Sequence, residues 1–122
     1  MTRDRYKILI VDDNDEMRQA LSILLQVRDL QVLACASPSE AFEAATSWKP
    51  NAMVLDIDLP TKSGFDLYRE LRAAGHAVPA VFITGNASDV GLDRAAEFNA
   101  TVLQKPFASG VLFAALDKAL SK

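Results

Sequence analysis

The sequence has one cysteine, one histidine and no apolar run of membrane-spanning length. A single cysteine cannot form an internal disulfide, and Cys35, at the end of an apolar run, is expected to be buried. One cysteine and one histidine also cannot supply a zinc site. The formal net charge of -3 gives no basic field that would attract nucleic acid. Since the first five residues lack the features of a cleavable leader, we expect a cytoplasmic protein that binds neither membranes nor nucleic acid directly.

Hydrophobic residues make up 50% of the chain, and they fall into short runs separated by amphipathic stretches. Short apolar runs bounded by turn residues are typical of buried strands. The predicted strands cover residues 6–11, 30–35, 52–56, 78–83 and 100–103. The amphipathic stretches predict a helix after each strand, and the first three have N-terminal caps at Asn14 or Asp15, at Ser37 and at Ser63. Ser37 and Glu40 form a capping-box pattern.

The regular alternation of strands and helices predicts the fold class. Five βα units imply a parallel sheet with right-handed crossovers and helices on both faces. We therefore expect an α/β, doubly wound (βα)5 sandwich, and the chain length suits a single domain over residues 1–122. In the flavodoxin-like strand order 2-1-3-4-5 the first and third strands are neighbours, and ligands bind where their carboxyl ends meet.

Polar side chains gather at the carboxyl ends of the predicted strands. They follow strands one, three, four and five in turn: Asp12, Asp13, Asp56, Asp58, Thr84 and Lys105. A single acid near a turn is usually just solvated, but several independent loop charges are not expected to share one edge of a sheet. We therefore expect these side chains to form one site.

Asp12, Asp13 and Asp56 would surround one point of this edge. Three carboxylates there repel one another unless a cation intervenes, and an all-oxygen ligand set suits Mg²⁺, for which Mn²⁺ could substitute. Such a site fits phosphoryl transfer, in which Lys105 neutralises the equatorial oxygens and the Thr84 hydroxyl donates a hydrogen bond to one of them. An ionised aspartate is then the nucleophile, and Asp56, at the end of a buried strand, is the best candidate.

This combination of residues resembles the receiver domain of bacterial two-component response regulators, the CheY-like domain. The motifs that carry the resemblance stand at four strand ends in a fixed order: Asp12-Asp13, Asp56, Thr84 and Lys105-Pro106-Phe107. Each motif alone is weak, but the set is specific and covers essentially the whole chain. The resemblance implies that Asp56 takes a phosphoryl group from a sensor histidine kinase or a phosphotransfer protein.

The resemblance also implies a metal site. Asp13 and Asp56 would bind Mg²⁺ through their side chains, and Asp58 would bind it through its backbone carbonyl. Asp12 would help, partly through water. Magnesium would then be required for phosphorylation of the domain.

Further roles follow from the same resemblance. Thr84 and Lys105 would contact the phosphoryl group, and the peptide bond between Lys105 and Pro106 would be cis. The domain would be a phosphoacceptor switch that catalyses its own phosphorylation and dephosphorylation. It would therefore not be a turnover enzyme.

One position departs from the family pattern. Receivers usually carry Tyr or Phe three residues before the lysine, and this ring rotates when the threonine moves on phosphorylation. The chain has Val102 there, so the signal would pass through a shift of the Thr84 loop and the fourth helix. The family also implies that Asp58 and Asn86, two residues beyond the acceptor and the threonine, tune the lifetime of the aspartyl phosphate.

The resemblance also bears on partners. The amino-acid sequence of residues 56–60 and 82–85 is similar to that of receivers of the FixJ and NarL kind. Such receivers usually carry a DNA-binding output domain. Because this chain contains no output domain, we expect either a part of a longer regulator or a stand-alone receiver. The face made by the fourth helix, fifth strand and fifth helix would be the contact surface of a homodimer.

Three alternatives remain open from the sequence. A haloacid-dehalogenase-like phosphatase also uses a motif such as Asp56-x-Asp58, but its acidic pair follows the nucleophile, whereas Asp12-Asp13 precedes it. A flavodoxin-like FMN binder shares the fold, but it needs a hydroxyl-rich loop after strand one, where this chain has carboxylates. The third alternative is a receiver that serves only as a docking module and is never phosphorylated.

Overall fold

A computed structural model describes residues 6–86 and 88–121, without the side chain of residue 89. Within these ranges five strands alternate with five helices. The strands are β1 (Lys7–Val11), β2 (Gln31–Cys35), β3 (Ala52–Asp56), β4 (Ala80–Thr84) and β5 (Thr101–Gln104). The helices are α1 (Asp15–Val27), α2 (Pro38–Trp48), α3 (Gly64–Ala73), α4 (Asp89–Glu97) and α5 (Ser109–Leu120). None of the helices in the described ranges is long and apolar enough to cross a membrane.

The five strands form one parallel sheet in the order β2-β1-β3-β4-β5. This confirms the predicted doubly wound fold class and its strand order. The register pairs Val11 with Leu55 and Asp56 with Ile83, and it pairs Thr84 with Gln104. The carboxyl ends of β1, β3, β4 and β5 are therefore level, and the residues that follow them lie along one edge.

Side chains from successive strand residues point to opposite faces of the sheet and form two apolar cores. On one face Leu9, Leu55 and Phe82 pack against α2 and α3. On the other face Ile10 and Ile83, together with their neighbours on β3, pack against α1 and α5. All five of these side chains are fully buried. Because β1, β3 and β4 are covered on both sides, their ends are held rigidly.

Four helices begin with side-chain caps, in which Asn14, Ser37, Ser63 and Ser88 accept backbone N–H hydrogen bonds. The predicted cap at Ser37 is confirmed, since its Oγ accepts from the Glu40 N–H at 3.3 Å. The reciprocal half of the capping box was wrong. The Glu40 carboxylate accepts at 2.9 Å from the N–H of Ala36, one residue before the cap. The N–H groups of Ala36 and Ser37 both precede the helix and have no hydrogen-bond partner within it. The Glu40 carboxylate therefore satisfies one such N–H group whether it binds Ala36 or Ser37.

Ser63 fixes the start of α3, which follows the functional edge of the sheet. Its Oγ accepts from the Asp66 N–H at 3.1 Å. Ser63→Ala should lower the free energy of unfolding by about 1 kcal/mol, because that N–H loses its partner. Urea unfolding measures the change. Ser63→Asp, which keeps an acceptor, should retain most of the stability, and equal losses in both variants would contradict the capping role.

Candidate functional site

Three carboxylates converge where β1 and β3 end. Asp12 and Asp13 follow β1 directly, and Asp56 is the last residue of β3. One carboxylate oxygen of each lies within 4.8 Å of the others. Asp12 and Asp56 are buried, whereas Asp13 is exposed. The structure thus brings the three predicted acids together in a cluster that is buried on one side and open to solvent on the other.

Lys105 follows β5 and reaches two of these carboxylates. Its Nζ lies 3.2 Å from Asp12 Oδ2 and 3.6 Å from Asp56 Oδ2. Its backbone N–H donates to the Thr84 carbonyl at 2.7 Å, which holds the chain after β5 against the end of β4. The peptide bond between Lys105 and Pro106 is cis. The two short distances from Nζ show that the Lys105 ammonium group provides a positive charge beside two buried acids.

The surroundings of Asp56 oppose its negative charge. The pKa of this carboxyl is raised from 3.8 to about 6, mainly by burial, and the nearby Asp12 and Asp58 carboxylates contribute to the rise. Two contacts act in the opposite direction: the Asp58 N–H donates to Asp56 Oδ1 at 3.0 Å, and the Lys105 ammonium lies nearby. An ionised Asp56 is therefore stabilised by any ligand that reduces its charge, such as a cation.

Asp12 is held in place through its side chain and its backbone. Its Oδ1 accepts from the Asn14 N–H at 2.9 Å, and its own N–H donates to the Cys35 carbonyl at 3.1 Å. The Arg18 guanidinium donates to the Asp12 carbonyl at 2.8 Å. The sequence did not predict this role of Arg18, since an arginine on the first turns of a helix is usually solvent-exposed. Cys35 is buried as predicted.

Thr84 is buried at the end of β4, and its hydroxyl makes two hydrogen bonds. It donates to Asp58 Oδ2 at 2.7 Å and accepts from the Asn86 N–H at 3.1 Å. The Gly85 N–H also donates to Asp58 Oδ2, at 3.4 Å. The sequence placed Asp58, Thr84 and Asn86 near the site, but it did not predict that the Asp58 side chain binds the threonine.

Val102 lies on β5 beside a small pocket. The residue pairs with Phe82 in the sheet register and is half-buried. A pocket of about 90 Å³ is lined by Val102, Thr84, Asp58 and Leu92, among others. A valine side chain is too short to fill this space. The segment that follows Thr84 therefore has free volume on its β5 side.

Gly64 is a site-positioning residue that the sequence analysis missed. A Cβ atom at Gly64 would overlap the carbonyl oxygen of Asp56 and would lie 3.0 Å from its carbonyl carbon and 3.2 Å from the Cα of Ile57. The Gly64 N–H donates to the Ile57 carbonyl at 3.0 Å. The signal available in the sequence was the glycine itself. Glycine in a helix costs about 1 kcal/mol of stability relative to alanine, so its presence can indicate that another backbone segment approaches closely.

The donor set of the cluster fits a hard divalent cation. Asp12, Asp13 and Asp56 offer carboxylate oxygens only, which are the ligands that Mg²⁺ prefers in proteins. The exposed side at Asp13 is compatible with the waters that Mg²⁺ usually keeps. These three residues could hold such an ion.

Comparison with known proteins gives a family match over most of the chain. A family model described as "Response regulator receiver domain" matches residues 8–117. The response regulator MprA of Mycobacterium ulcerans (strain Agy99) is 34% identical over 112 residues, which cover 88% of this chain and 47% of that protein. The chain thus spans about half the length of the curated relatives it matches. The match favours the receiver interpretation over the phosphatase and FMN-binding alternatives.

Solved structures agree with the sequence match. The BeF3-activated N-terminal receiver domain of Klebsiella pneumoniae RstA has a TM-score of 0.84 and 31% identity, covering 95% of this chain and 99% of that chain. The Vibrio cholerae chemotaxis protein CheY4 has a TM-score of 0.87 and 26% identity, covering 94% of this chain and 98% of that one. The fold and the order of its elements are therefore shared along nearly the full length of these domains.

Proposed function

Because this chain belongs to the family of response regulator receiver domains, we propose that it is a signalling switch in which Asp56 accepts a phosphoryl group. The donor would be the phosphohistidine of a sensor histidine kinase or a phosphotransfer protein. The observation that carries the proposal is the convergence of Asp12, Asp13, Asp56 and Lys105 at one edge of the sheet. Asp56 is the acceptor because it is a buried carboxylate whose charge its surroundings oppose, with a pKa raised to about 6.

The transfer itself needs an ionised Asp56. One of its carboxylate oxygens attacks the phosphorus atom and forms the P–O bond of an acyl phosphate, while the P–N bond to the donor imidazole breaks. The electron pair of the broken bond stays on the imidazole nitrogen. With a pKa of about 6, the Asp56 carboxyl is mostly ionised at neutral pH and is competent to attack.

We assign the metal-binding role to four residues. Asp13 and Asp56 would hold Mg²⁺ through their side chains, Asp58 through its backbone carbonyl, and Asp12 partly through water. Mn²⁺ could take the same place, since it accepts the same oxygen ligands. Bound there, the ion would supply positive charge to the carboxylates and to the phosphoryl oxygens. The all-carboxylate cluster supports this assignment.

Other residues would act on the phosphoryl group or on its lifetime. The Lys105 ammonium would neutralise one phosphoryl oxygen, and the Thr84 hydroxyl would donate a hydrogen bond to another. Asp58 and Asn86 would set how readily water attacks the acyl phosphate. With Val102 on β5, the signal would travel through the Thr84 loop and α4 rather than through a rotating aromatic ring.

The proposed partners of this domain are proteins. It would exchange phosphoryl groups with its kinase in the cytoplasm, without turning over a substrate, and a longer regulator would add a DNA-binding output domain. We also assign a homodimer contact to the face made by α4, β5 and α5. Val90 and Leu92 on α4 and Val111 on α5 are exposed apolar side chains on the two helices of this surface, and burying them would favour such a contact.

Phosphorylation from a small donor tests the proposed function. Acetyl phosphate with Mg²⁺ should add one phosphoryl group to the wild type by intact mass, and none to Asp56→Asn or to wild type in EDTA. Asp93→Asn, which changes an exposed acid on α4, should be modified like the wild type. A wild type that stays unmodified with acetyl phosphate and with a phosphorylated cognate kinase would overturn the proposal and favour a docking module.

A further inference from the structure

We propose that the Asp58 carboxylate is a latch that holds the Thr84 hydroxyl in the unphosphorylated state and slows phosphorylation. The inference rests on the proposed acceptor role of Asp56. Asp58 Oδ2 accepts from the Thr84 hydroxyl at 2.7 Å and from the Gly85 N–H at 3.4 Å. A hydroxyl and the following backbone N–H are also the donors that an incoming anion would use at this strand end. In the unphosphorylated protein the Asp58 carboxylate therefore already binds the two donors, the Thr84 hydroxyl and the Gly85 N–H, that a phosphoryl oxygen would need.

The hydroxyl of Thr84 cannot donate to the Asp58 carboxylate and to a phosphoryl oxygen at the same time. It has one O–H donor, and that donor is directed at Asp58. Its oxygen accepts from the Asn86 N–H at 3.1 Å, which helps to fix the position of the hydroxyl. Phosphorylation that engages Thr84 must therefore break the hydrogen bond to Asp58.

Asp58 also contacts the acceptor residue. Its backbone N–H donates to Asp56 Oδ1 at 3.0 Å, while its side chain binds Thr84. A phosphoryl group on Asp56 would place new negative charge beside the Asp58 carboxylate and would compete for the same hydroxyl. Repulsion and competition both favour release of Thr84.

The structure offers room for that release. Asp58 is exposed, so its carboxylate can turn into solvent. The pocket of about 90 Å³, lined by Thr84, Asn86 and Val102 among others, provides unfilled space beside the segment after β4. Asp58 is thus a positioning residue that acts on the reaction through Thr84.

Removing the carboxylate tests the latch. Asp58→Ala should phosphorylate roughly five- to tenfold faster than the wild type in Mg²⁺ and acetyl phosphate, because the hydrogen bond to a charged acceptor no longer has to break. Asp58→Asn keeps an acceptor oxygen and should give a smaller acceleration. Asp93→Ala, which removes the same charge from the exposed face of α4, should match the wild-type rate.

A double-mutant cycle separates the latch from simple charge repulsion of the donor. Thr84→Val has no hydroxyl to release, so adding Asp58→Ala to it should give no further acceleration. Equal acceleration in both backgrounds would overturn the latch and assign the effect to charge. Equal rates for Asp58→Ala and Asp58→Asn would overturn it as well.

Amide chemical shifts provide a readout that needs no phosphoryl group. In the unphosphorylated protein, Asp58→Ala should shift the Gly85 and Asn86 amide signals toward their positions in the phosphorylated wild type, and Asp93→Ala should not. Unchanged signals at these two amides would overturn the latch while leaving Asp56 as the acceptor. A wild type that cannot be phosphorylated would instead overturn the proposed function, so the two failures are distinguishable.

Discussion

Asp56→Asn should make the metal-free protein more stable at pH 7.5, by about 2 kcal/mol, although it removes the proposed acceptor. The reason is the unfavourable environment of the ionised carboxylate. Burial, followed by the neighbouring Asp12 and Asp58, raises the pKa of Asp56 from 3.8 to about 6. A rise of this size corresponds to about 3 kcal/mol of stability lost when the group is ionised. This figure already includes the favourable charge of Lys105. The variant should regain less than that, because its buried amide N–H groups would face the Lys105 ammonium instead of an acceptor.

The sign of this effect fixes its pH dependence. Between pH about 4 and about 6, the native protein keeps a proton on Asp56 that the unfolded chain has already released. The contribution of Asp56 to stability is therefore fully present below this window and falls as pH rises through it. The side-chain amide of the Asp56→Asn variant does not titrate, so the two proteins should have similar stabilities near pH 4 and differ above pH about 6.

Urea unfolding in EDTA at several pH values measures the difference. Groups that titrate equally in both proteins cancel when the two curves are subtracted. Asp93→Asn, at an exposed position on α4, should follow the wild type at every pH. A difference that does not change with pH, or a variant less stable than the wild type at pH 7.5, would contradict the prediction.

Magnesium should narrow or reverse the stability difference between the wild type and Asp56→Asn. A ligand that binds only the native state at 100 times its Kd adds about 2.7 kcal/mol. Because the proposed site uses the Asp56 carboxylate, saturating Mg²⁺ should raise the melting temperature of the wild type and leave that of Asp56→Asn nearly unchanged. The same addition would thus narrow or invert the gap seen in EDTA.

Gly64→Ala should lower the free energy of unfolding by about 3 kcal/mol and slow phosphorylation at least about tenfold. Its Cβ would meet backbone atoms of Asp56 and Ile57 rather than flexible side chains. The conflict can be relieved only if the start of α3 moves away from the end of β3. Such a movement shifts the acceptor carboxylate, and small misplacements of reacting groups are costly in rate.

Gly110→Ala is the matched control for Gly64→Ala. Gly110 lies near the start of α5, and a Cβ there would meet no described heavy atom within 4 Å. Alanine is the better helix former, so this variant should be as stable as the wild type or slightly more stable. Urea unfolding and the rate of phosphoryl incorporation measure both variants. Equal free energies of unfolding and equal phosphorylation rates for the two variants would contradict the prediction that the close approach at Gly64 matters for stability and rate.

Local patterns predicted most of the fold. Apolar runs that end abruptly in polar residues marked the strands, and Ser37 and Ser63 marked helix starts, because both signals arise within a few neighbouring residues. The rules for βα units predicted the parallel sheet, and the strand order was that of the flavodoxin-like arrangement, which placed Asp12, Asp56 and Lys105 on one edge.

The remaining features depend on contacts between distant parts of the chain. Asp58 and Thr84 were both assigned to the site, but their hydrogen bond depends on how two loops meet in three dimensions. The close approach of Gly64 to β3 likewise depends on the packing angle of α3. Composition and periodicity carry no information about such distances, so these two contacts required the structure.

Cys35 makes the protein convenient for site-specific labelling. It is the only thiol in the sequence, it is buried, and burial raises its pKa to about 11. A thiol that stays protonated and inaccessible reacts poorly with maleimides and related reagents. Val90→Cys, at an exposed position on α4, would therefore carry a single fluorophore or spin label without prior removal of the native cysteine. Such a probe would report directly on the movement of α4.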